Sequence, residues 1–268
     1  MDKAQIWLNG RMQPAAAARI DPADRGLLLG DGVFETLAVR AGKVRDGALH
    51  FARLAAGAAL LRLELPFDEA GMAAILSQVI ATNGLDEGAL RLTLTRGPGP
   101  RGLLPPDETQ PTLMVTGFAQ APATGALTLI VSSLRRDERS PLCGVKSLNY
   151  LPNILARLEA REQGADDAIL LNHAGRVAGA TAGNVFLHDG QAWLTPPLAD
   201  GVLPGIRRAR LMQAGLVREA PLSPADMIAC AGLAIGNVLS LRAGARLNDA
   251  ALNQDAAALA ALAAATRV

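Results

Sequence analysis

The sequence predicts an α+β protein of two domains that meet near residue 120. Three observations predict it. Segments with apolar period two alternate with segments of helical period along the chain. A chain of 268 residues at 50% hydrophobic composition can bury one large core or two ordinary ones. The small-residue stretch Gly117–Gly125, with Pro122 inside it, breaks both periods and reads as an interdomain linker.

Taken in order, Ile6-Trp7-Leu8 before Asn9-Gly10 reads as a short strand entering a tight turn. Gly32–Arg40 alternates with period two and then meets Ala41-Gly42, the pattern of a hairpin. From Ala48 to about Leu63 the period is helical, and Pro66 and Asp68 separate this helix from a second over Glu69–Asn83. Ala89–Thr95 and Thr112–Thr116 read as strands, as does Leu127–Ser132 beyond the linker. A helix follows from about Leu151 to Gln163, stopped by Gly164, and then strands at Ala168–Leu171 and Val185–His188. Leu203-Pro204-Gly205 opens a helix near Arg207–Ala214. Ala234–Val238 reads as a second small-residue turn and Gln254–Thr266 as an Ala-rich helix. No repeat of solenoid period is present.

Composition narrows the function classes. Net charge is +1 with both signs mixed along the chain, so nothing marks a nucleic-acid or anionic-membrane surface. Aromatic residues at 3% are too few for a base-stacking platform. Cys143 and Cys230 lie in apolar context without paired spacing, which argues against a metal site or a disulfide framework. The N-terminus lacks the apolar core of a signal peptide and no apolar run is long enough to span a bilayer. A cytoplasmic protein acting on small molecules is the expectation.

The cations are unevenly chosen: three lysines against twenty-three arginines. Lys3 and Lys43 read as solvated, but Lys146 sits among apolar residues in Leu142–Leu151. A desolvated lysine can lose its proton and attack a carbonyl, which arginine cannot do. The alternative is a lysine that snorkels or pairs with a carboxylate. On the helix from Ala48, residues Leu49, Arg53, Ala56 and Leu60 fall on one face by spacing, so Arg53 needs an anion. A phosphate suits its fork, and a structural carboxylate is the alternative. His50 turns to a different face as a structural hydrogen-bonder. Gly201–Arg208 has the form of a turn opening a helix, whose first N–H groups make an anion site, and Ala234–Val238 could supply further backbone donors. Together these features suit a phosphorylated aldehyde, pyridoxal 5′-phosphate (PLP).

The chain resembles the class IV (fold-type IV) PLP-dependent aminotransferase family over nearly its whole length. The matching stretches begin with Trp7–Gly10, Asp24-Arg25-Gly26, Gly30–Thr36, His50–Leu54 and Thr95-Arg96-Gly97. They continue with Val145–Tyr150, Asn184-Val185-Phe186, Thr195-Pro196-Pro197 and Leu203–Ile206. The resemblance implies a small N-terminal α/β domain (1–118), a linker (119–125) and a larger C-terminal pseudo-barrel domain (126–268), usually in a homodimer, with an amino-acid-like substrate. By position it implies Lys146 as the Schiff-base lysine, Arg53 as the phosphate-binding arginine, and Ile206 and Arg207 as backbone donors to the phosphate. Tyr150 falls, after a one-residue gap, where a tyrosine bonds the ring hydroxyl. Phe34 and Arg101 fall at substrate positions, Arg101 where a substrate carboxylate is held. For Arg101 the alternative is a solvated loop arginine.

Three positions depart from the pattern. Gly179 stands where the family has a Glu that keeps the pyridine nitrogen protonated, which strengthens the electron sink. Arg207 replaces a phosphate-contacting Thr. Ile235-Gly236 stands where Thr-Asn is usual, leaving Gly236 and Asn237 to contribute mainly through the backbone. Within the family the short length and the Phe34–Val39 strand look most like 4-amino-4-deoxychorismate lyase, which releases pyruvate on the folate route. The alternatives are a transaminase of D- or branched-chain amino acids, and a degenerate PLP-binding homologue made slow by Gly179.

Overall fold

The structure, a computed structural model, describes residues 4–120 and 123–265. Lys3, linker positions 121–122 and the predicted helix end at Thr266 lie outside the described residues. By contacts the chain divides into two compact units. The first is Met1–Ala121 together with Val145–Asn149, and the second is Pro122–Gly144 together with Tyr150–Val268. This differs from the linear division at the linker, because the Lys146 segment belongs to the first unit.

In the first unit β1 (Gln5–Leu8) and β2 (Arg11–Pro14) form a hairpin about Asn9-Gly10. Next come α1 (Arg25–Leu29), β3 (Gly32–Arg40), β4 (Lys43–Val44), α2 (Gly47–Leu60), α3 (Glu69–Asn83), β5 (Gly88–Thr95) and β6 (Thr112–Phe118). The six strands make an antiparallel sheet in the order β2-β1-β6-β5-β3-β4. Alternation sets its core: Val33, Leu37 and Val39 on β3 join Leu90, Leu92 and Leu94 on β5, and Leu54, Met72 and Leu76 cover them from α2 and α3. Asp68 caps α3 by accepting from the Gly71 N–H, and Gly84 ends it in the left-handed region. Val145 is buried in this same core. The next residues pair with β3: Phe34 N–H donates to the Lys146 carbonyl at 2.9 Å, Leu148 N–H to the Gly32 carbonyl at 3.0 Å, and Ser147 bridges Val33. Those bonds explain why the segment folds with the first unit.

The second unit runs β7 (Leu127–Arg136), α4 (Leu151–Glu162), β8 (Asp167–Asn172), β9 (Val177–Ala180), β10 (Asn184–His188), β11 (Trp193–Thr195) and α5 (Ile206–Gln213). It ends with β12 (Val217–Glu219), α6 (Pro224–Ala229), β13 (Gly232–Gly236), β14 (Leu241–Leu247), β15 (Ala250–Ala251) and α7 (Ala256–Ala264). A mixed nine-stranded sheet follows the order β12-β11-β10-β13-β14-β7-β8-β9, with β15 on β14. The last strand of that path, β9, returns through a tight turn to β10, with Ala180 N–H donating to the Gly183 carbonyl at 2.9 Å. The sheet therefore curls into the expected partial barrel, filled by Leu129, Ile169, Val185, Leu187, Met227 and Leu233. α4 packs Ala156 and Ala160 on Ile130 and Ala168, while α5 and α7 cover Phe186 and Trp193.

Two sequence expectations fail here. Ala234–Gly236 is not a turn but the end of β13, paired with β10 and β14, and the turn begins at Asn237. Small residues there serve a strand buried on both faces. On α2 the buried face is His50, Leu54, Gly57 and Ala58, whereas Ala56 and Leu60 of the predicted stripe are exposed. The four-and-three spacing was right, but its phase was off by about one residue.

Candidate active site

The candidate residues are divided between the units. Lys146, Phe34, Arg53 and Arg101 belong to the first, and Tyr150, Gly179, Ile206, Arg207, Gly236 and Asn237 to the second.

In the first unit β3 supplies the floor. Lys146 is half-buried, and its Nζ lies over the Phe34 ring, 4.2 Å from the centroid. The Arg91 guanidinium lies over the same ring at 3.9 Å. A cation over an aromatic face is attracted by the ring quadrupole, so Phe34 holds the amine in a defined place. Strand parity puts Arg91 there: it sits beside Thr93, the cross-strand partner of Phe34, two residues along β5.

The anion that Arg53 meets in this structure is a carboxylate. Its Nε and one Nη donate to the two oxygens of Glu35, at 2.8 and 2.5 Å. The His50 Nδ1 lies 2.7 Å from the same carboxylate. Glu35 is fully buried. Burial opposes its charge, but hydrogen bonds from His50 and Arg53 outweigh it and hold the carboxyl below the usual range. A phosphate on Arg53 would share the guanidinium with Glu35. The sequence reading missed Glu35, although a signal existed: it is the one charge in phase with Val33, Leu37 and Val39. His50 is a structural hydrogen-bonder, as expected, but on the buried face.

Arg101 lies exposed on the loop Gly97–Leu103 between β5 and β6. Asp24 ties α1 to the root of that loop. It caps the helix by accepting from Gly26 N–H and takes hydroxyl hydrogen bonds from Thr95 and Thr112 at 2.8 and 2.7 Å.

In the second unit the turn Leu203-Pro204-Gly205 opens a helix as the sequence suggested, while the second turn begins only at Asn237, after β13. α5 begins at Ile206 after Gly205, with no side chain capping its first N–H groups, so those donors and the positive end of the helix dipole are the expected anion cradle. Asn184 donates to the Leu203 carbonyl at 2.9 Å and holds the turn before α5. A Cβ at Gly205 would fall 1.9 Å from the Asn184 Oδ1, so only glycine fits there. Arg207 donates from Nε to the Asn237 carbonyl, tying α5 to the turn after β13. Asn237 in turn donates to the Ala182 carbonyl and accepts from the Leu239 and Ser240 N–H groups. The Arg207 side chain thus spans two donor-bearing turns where a threonine hydroxyl was expected.

Tyr150 is half-buried at the start of α4, with its backbone just outside the helix. Gly179 lies in β9, paired with Leu170, at φ 146°. Beside it, Thr181 is fixed by Asp167, which accepts its hydroxyl at 2.5 Å, and by Asn153, which donates to its carbonyl at 2.7 Å. Each unit by itself carries part of what PLP asks for: the first an amine beside an aromatic wall and an arginine on a carboxylate, the second an uncapped helix start. Position 179 offers no acid for the ring nitrogen.

Comparison with known proteins agrees with this chemistry. The family described as Amino-transferase class IV matches residues 32–245. A Methanocaldococcus jannaschii relative named for branched-chain amino-acid transamination is 34% identical over 209 residues, covering 76% of this chain and 72% of its own. A D-alanine aminotransferase of Bacillus licheniformis is 31% identical, covering 78% and 74%. The structure of 4-amino-4-deoxychorismate lyase from Pseudomonas aeruginosa is 30% identical and superposes with a TM-score of 0.81, covering 94% and 95%. The chain belongs to the class IV aminotransferase family and is a PLP-dependent transaminase or lyase.

Proposed function

We propose that the chain is a 4-amino-4-deoxychorismate lyase, releasing pyruvate and leaving 4-aminobenzoate. The observation that carries this reading is the nearly end-to-end match to the Pseudomonas lyase, which spans both chains almost completely. Branched-chain aminotransferase structures span both chains as completely but at 21–24% identity. The aminotransferase relatives are matched in sequence over about three quarters of their length. Their slightly higher identity favours a second reading, transamination of D- or branched-chain amino acids.

Both readings use the same residues. When bound, PLP supplies an electron sink for the pair released at the amine-bearing carbon. Lys146 would hold the cofactor through its aldehyde carbon. Freed of the cofactor, the Lys146 amine would remove the proton from the substrate's amine-bearing carbon. Phe34 fixes the approach of Nζ and walls the substrate side. Ile206 and Arg207 N–H groups, with Arg53 and the backbone at Gly236, would receive the phosphate, whereas the Asn237 N–H already donates to the Ser240 carbonyl at 2.9 Å and would shape the turn. Tyr150 would donate to the ring hydroxyl. Arg101 takes a substrate carboxylate as a bidentate fork. Gly179 leaves the ring nitrogen without a carboxylate. In the lyase, proton removal is followed by cleavage of the neighbouring bond, and the three-carbon fragment leaves. In a transaminase, the Lys146 amine would instead give its proton back, with no fragment leaving the substrate.

A homodimer belongs to this reading. It is supported by Leu151, Ile154, Leu155 and Leu158, an apolar stripe at helical spacing on α4 that the single chain leaves exposed. The deciding assay compares pyruvate release from aminodeoxychorismate with amino transfer from D-alanine and from L-leucine to 2-oxoglutarate. The lyase reading expects the first to be fastest, and the reverse ranking makes the enzyme a transaminase.

A further inference from the structure

Arg25 divides its side chain between Asp31 and one loop. It is 3% exposed. Its Nε donates to the Asp31 carboxylate at 2.9 Å, and its two Nη groups donate to the carbonyls of Gly102 and Leu103 at 3.0 and 2.7 Å. Its backbone N–H donates to the Gly97 carbonyl, and Gly99 N–H donates to the Ala23 carbonyl. The segment Gly97–Leu103 is thereby stitched to α1 at its root and clamped by the guanidinium at its far end. Asp31 is gripped in turn by Arg96, whose Nε and Nη2 donate at 2.8 and 3.0 Å. Burial works against the Asp31 charge, yet the Arg96 and Arg25 guanidiniums hold its carboxyl below the ordinary value.

Little else anchors the far end. Leu103 and Leu104 are 84% and 85% exposed, so no apolar burial fixes the loop there. The clamped loop and α1 wall a cavity of about 230 Å³ lined by Arg25, Leu28, Leu29, Pro100, Arg101 and Leu103. Arg101 is the residue immediately before the clamped carbonyls, so its direction follows from them.

We infer that Arg25 is the positioning residue that fixes Arg101, and so sets how tightly the enzyme holds a carboxylate-bearing substrate without taking part in the chemistry. The inference rests on the reading of Arg101 as the substrate carboxylate's partner. It assigns Arg25 a task that a point charge cannot perform. Lysine at 25 can keep the ion pair with Asp31 but cannot hold two carbonyls with one planar fork.

The test uses the PLP-loaded enzyme and four forms: parent, Arg25→Lys, Arg101→Ala and the double variant. KM and kcat are measured with aminodeoxychorismate and with D-alanine. Arg25→Lys should raise KM about tenfold with kcat within about threefold, the pattern of lost substrate holding rather than lost chemistry. Tryptic cleavage after Arg101, followed by mass spectrometry, should be several times faster in Arg25→Lys than in the parent. In the Arg101→Ala background, Arg25→Lys should raise KM no further, because the two act as one unit. A parental KM in Arg25→Lys beside a raised KM in Arg101→Ala overturns the inference and leaves Arg101's role standing. A parental KM in Arg101→Ala defeats the reading of Arg101 and the inference with it. Should Arg25→Lys melt well below the parent, Gly99→Ala decides, since its added Cβ would meet the Arg25 Cδ at 2.9 Å and displace the clamp from the loop side. If folded Gly99→Ala keeps both parental KM and parental cleavage, the clamp does not position Arg101.

Discussion

Lys146 meets an aromatic face in a strand-bound segment, and that surrounding distinguishes it from Lys43, which is exposed at the start of the short strand β4. Borohydride reduction of the PLP-loaded protein, followed by peptide mapping, should place a pyridoxyl group on Lys146; label on Lys43 or Lys3 would defeat the assignment. The scarcity of lysine made this residue legible from sequence. Arg53 was legible only as a cation needing an anion, because the partner that satisfies it, Glu35, lies eighteen residues earlier on another element. Two variants separate the two anions. Arg53→Ala should weaken PLP binding about tenfold or more, the scale of a charge-assisted contact, read by spectral titration. Glu35→Ala leaves the Arg53 and His50 side chains without their buried carboxylate and should cost about 3–5 kcal/mol in denaturant unfolding. A stable Glu35→Ala protein would mean that the cluster relaxes around the loss.

Elements were read best where local chemistry and tertiary demand agree. β3 has its predicted bounds because alternation and the following turn mark both ends, and α3 because Asp68 and Gly84 cap it. The short strands β9, β11, β12, β14 and β15 escaped notice, since two to seven residues give too little periodicity and their pairing is decided by partners distant in sequence. α1 escaped because five residues held by an Asp24 cap make no periodic signal. β9 also changes what can be expected at Gly179. On chemistry alone, a Glu there would strengthen the electron sink and raise turnover. At φ 146°, however, a side chain is strained whatever the space, at a cost of order 1–3 kcal/mol. Gly179→Glu should therefore melt below the parent and turn over no faster. If it melts with the parent and gains rate, the strand accommodates the side chain and the missing acid had been limiting.

At the scale of the whole molecule, charge burial ties stability to acid. Glu35 and Asp31 both titrate lower in the folded chain than their ordinary values of 4.5 and 3.8. As pH falls, the unfolded chain takes up their protons first. Their stabilisation is full above those values and is lost as pH drops through them toward the folded pKa. Thermal melts should hold steady on the neutral side and fall steeply below about pH 4.5, with a shallower fall in Glu35→Gln. An unchanged slope in that variant would assign the acid sensitivity elsewhere. Two-unit organisation was visible in the sequence from the Gly117–Gly125 break, but the return of Val145–Asn149 to the first unit was not. No periodicity marks it, because a few strand-bound residues obey long-range pairing with Gly32 and Phe34 rather than any local preference.

That return has a consequence for how the polypeptide is made and how it can be cut. During synthesis the first unit stays unfinished until residue 149 has left the ribosome, by which time part of the second has already emerged. Its last piece to arrive is the one bearing the reactive amine. A single nick in the linker likewise divides the first unit between two fragments, since Val145–Asn149 stays covalently with the second unit and only its pairing with Gly32 and Phe34 joins it to the rest of the first. The lysine is thus held by peptide bonds from both sides, like a stitch passed through one cloth while sewing another.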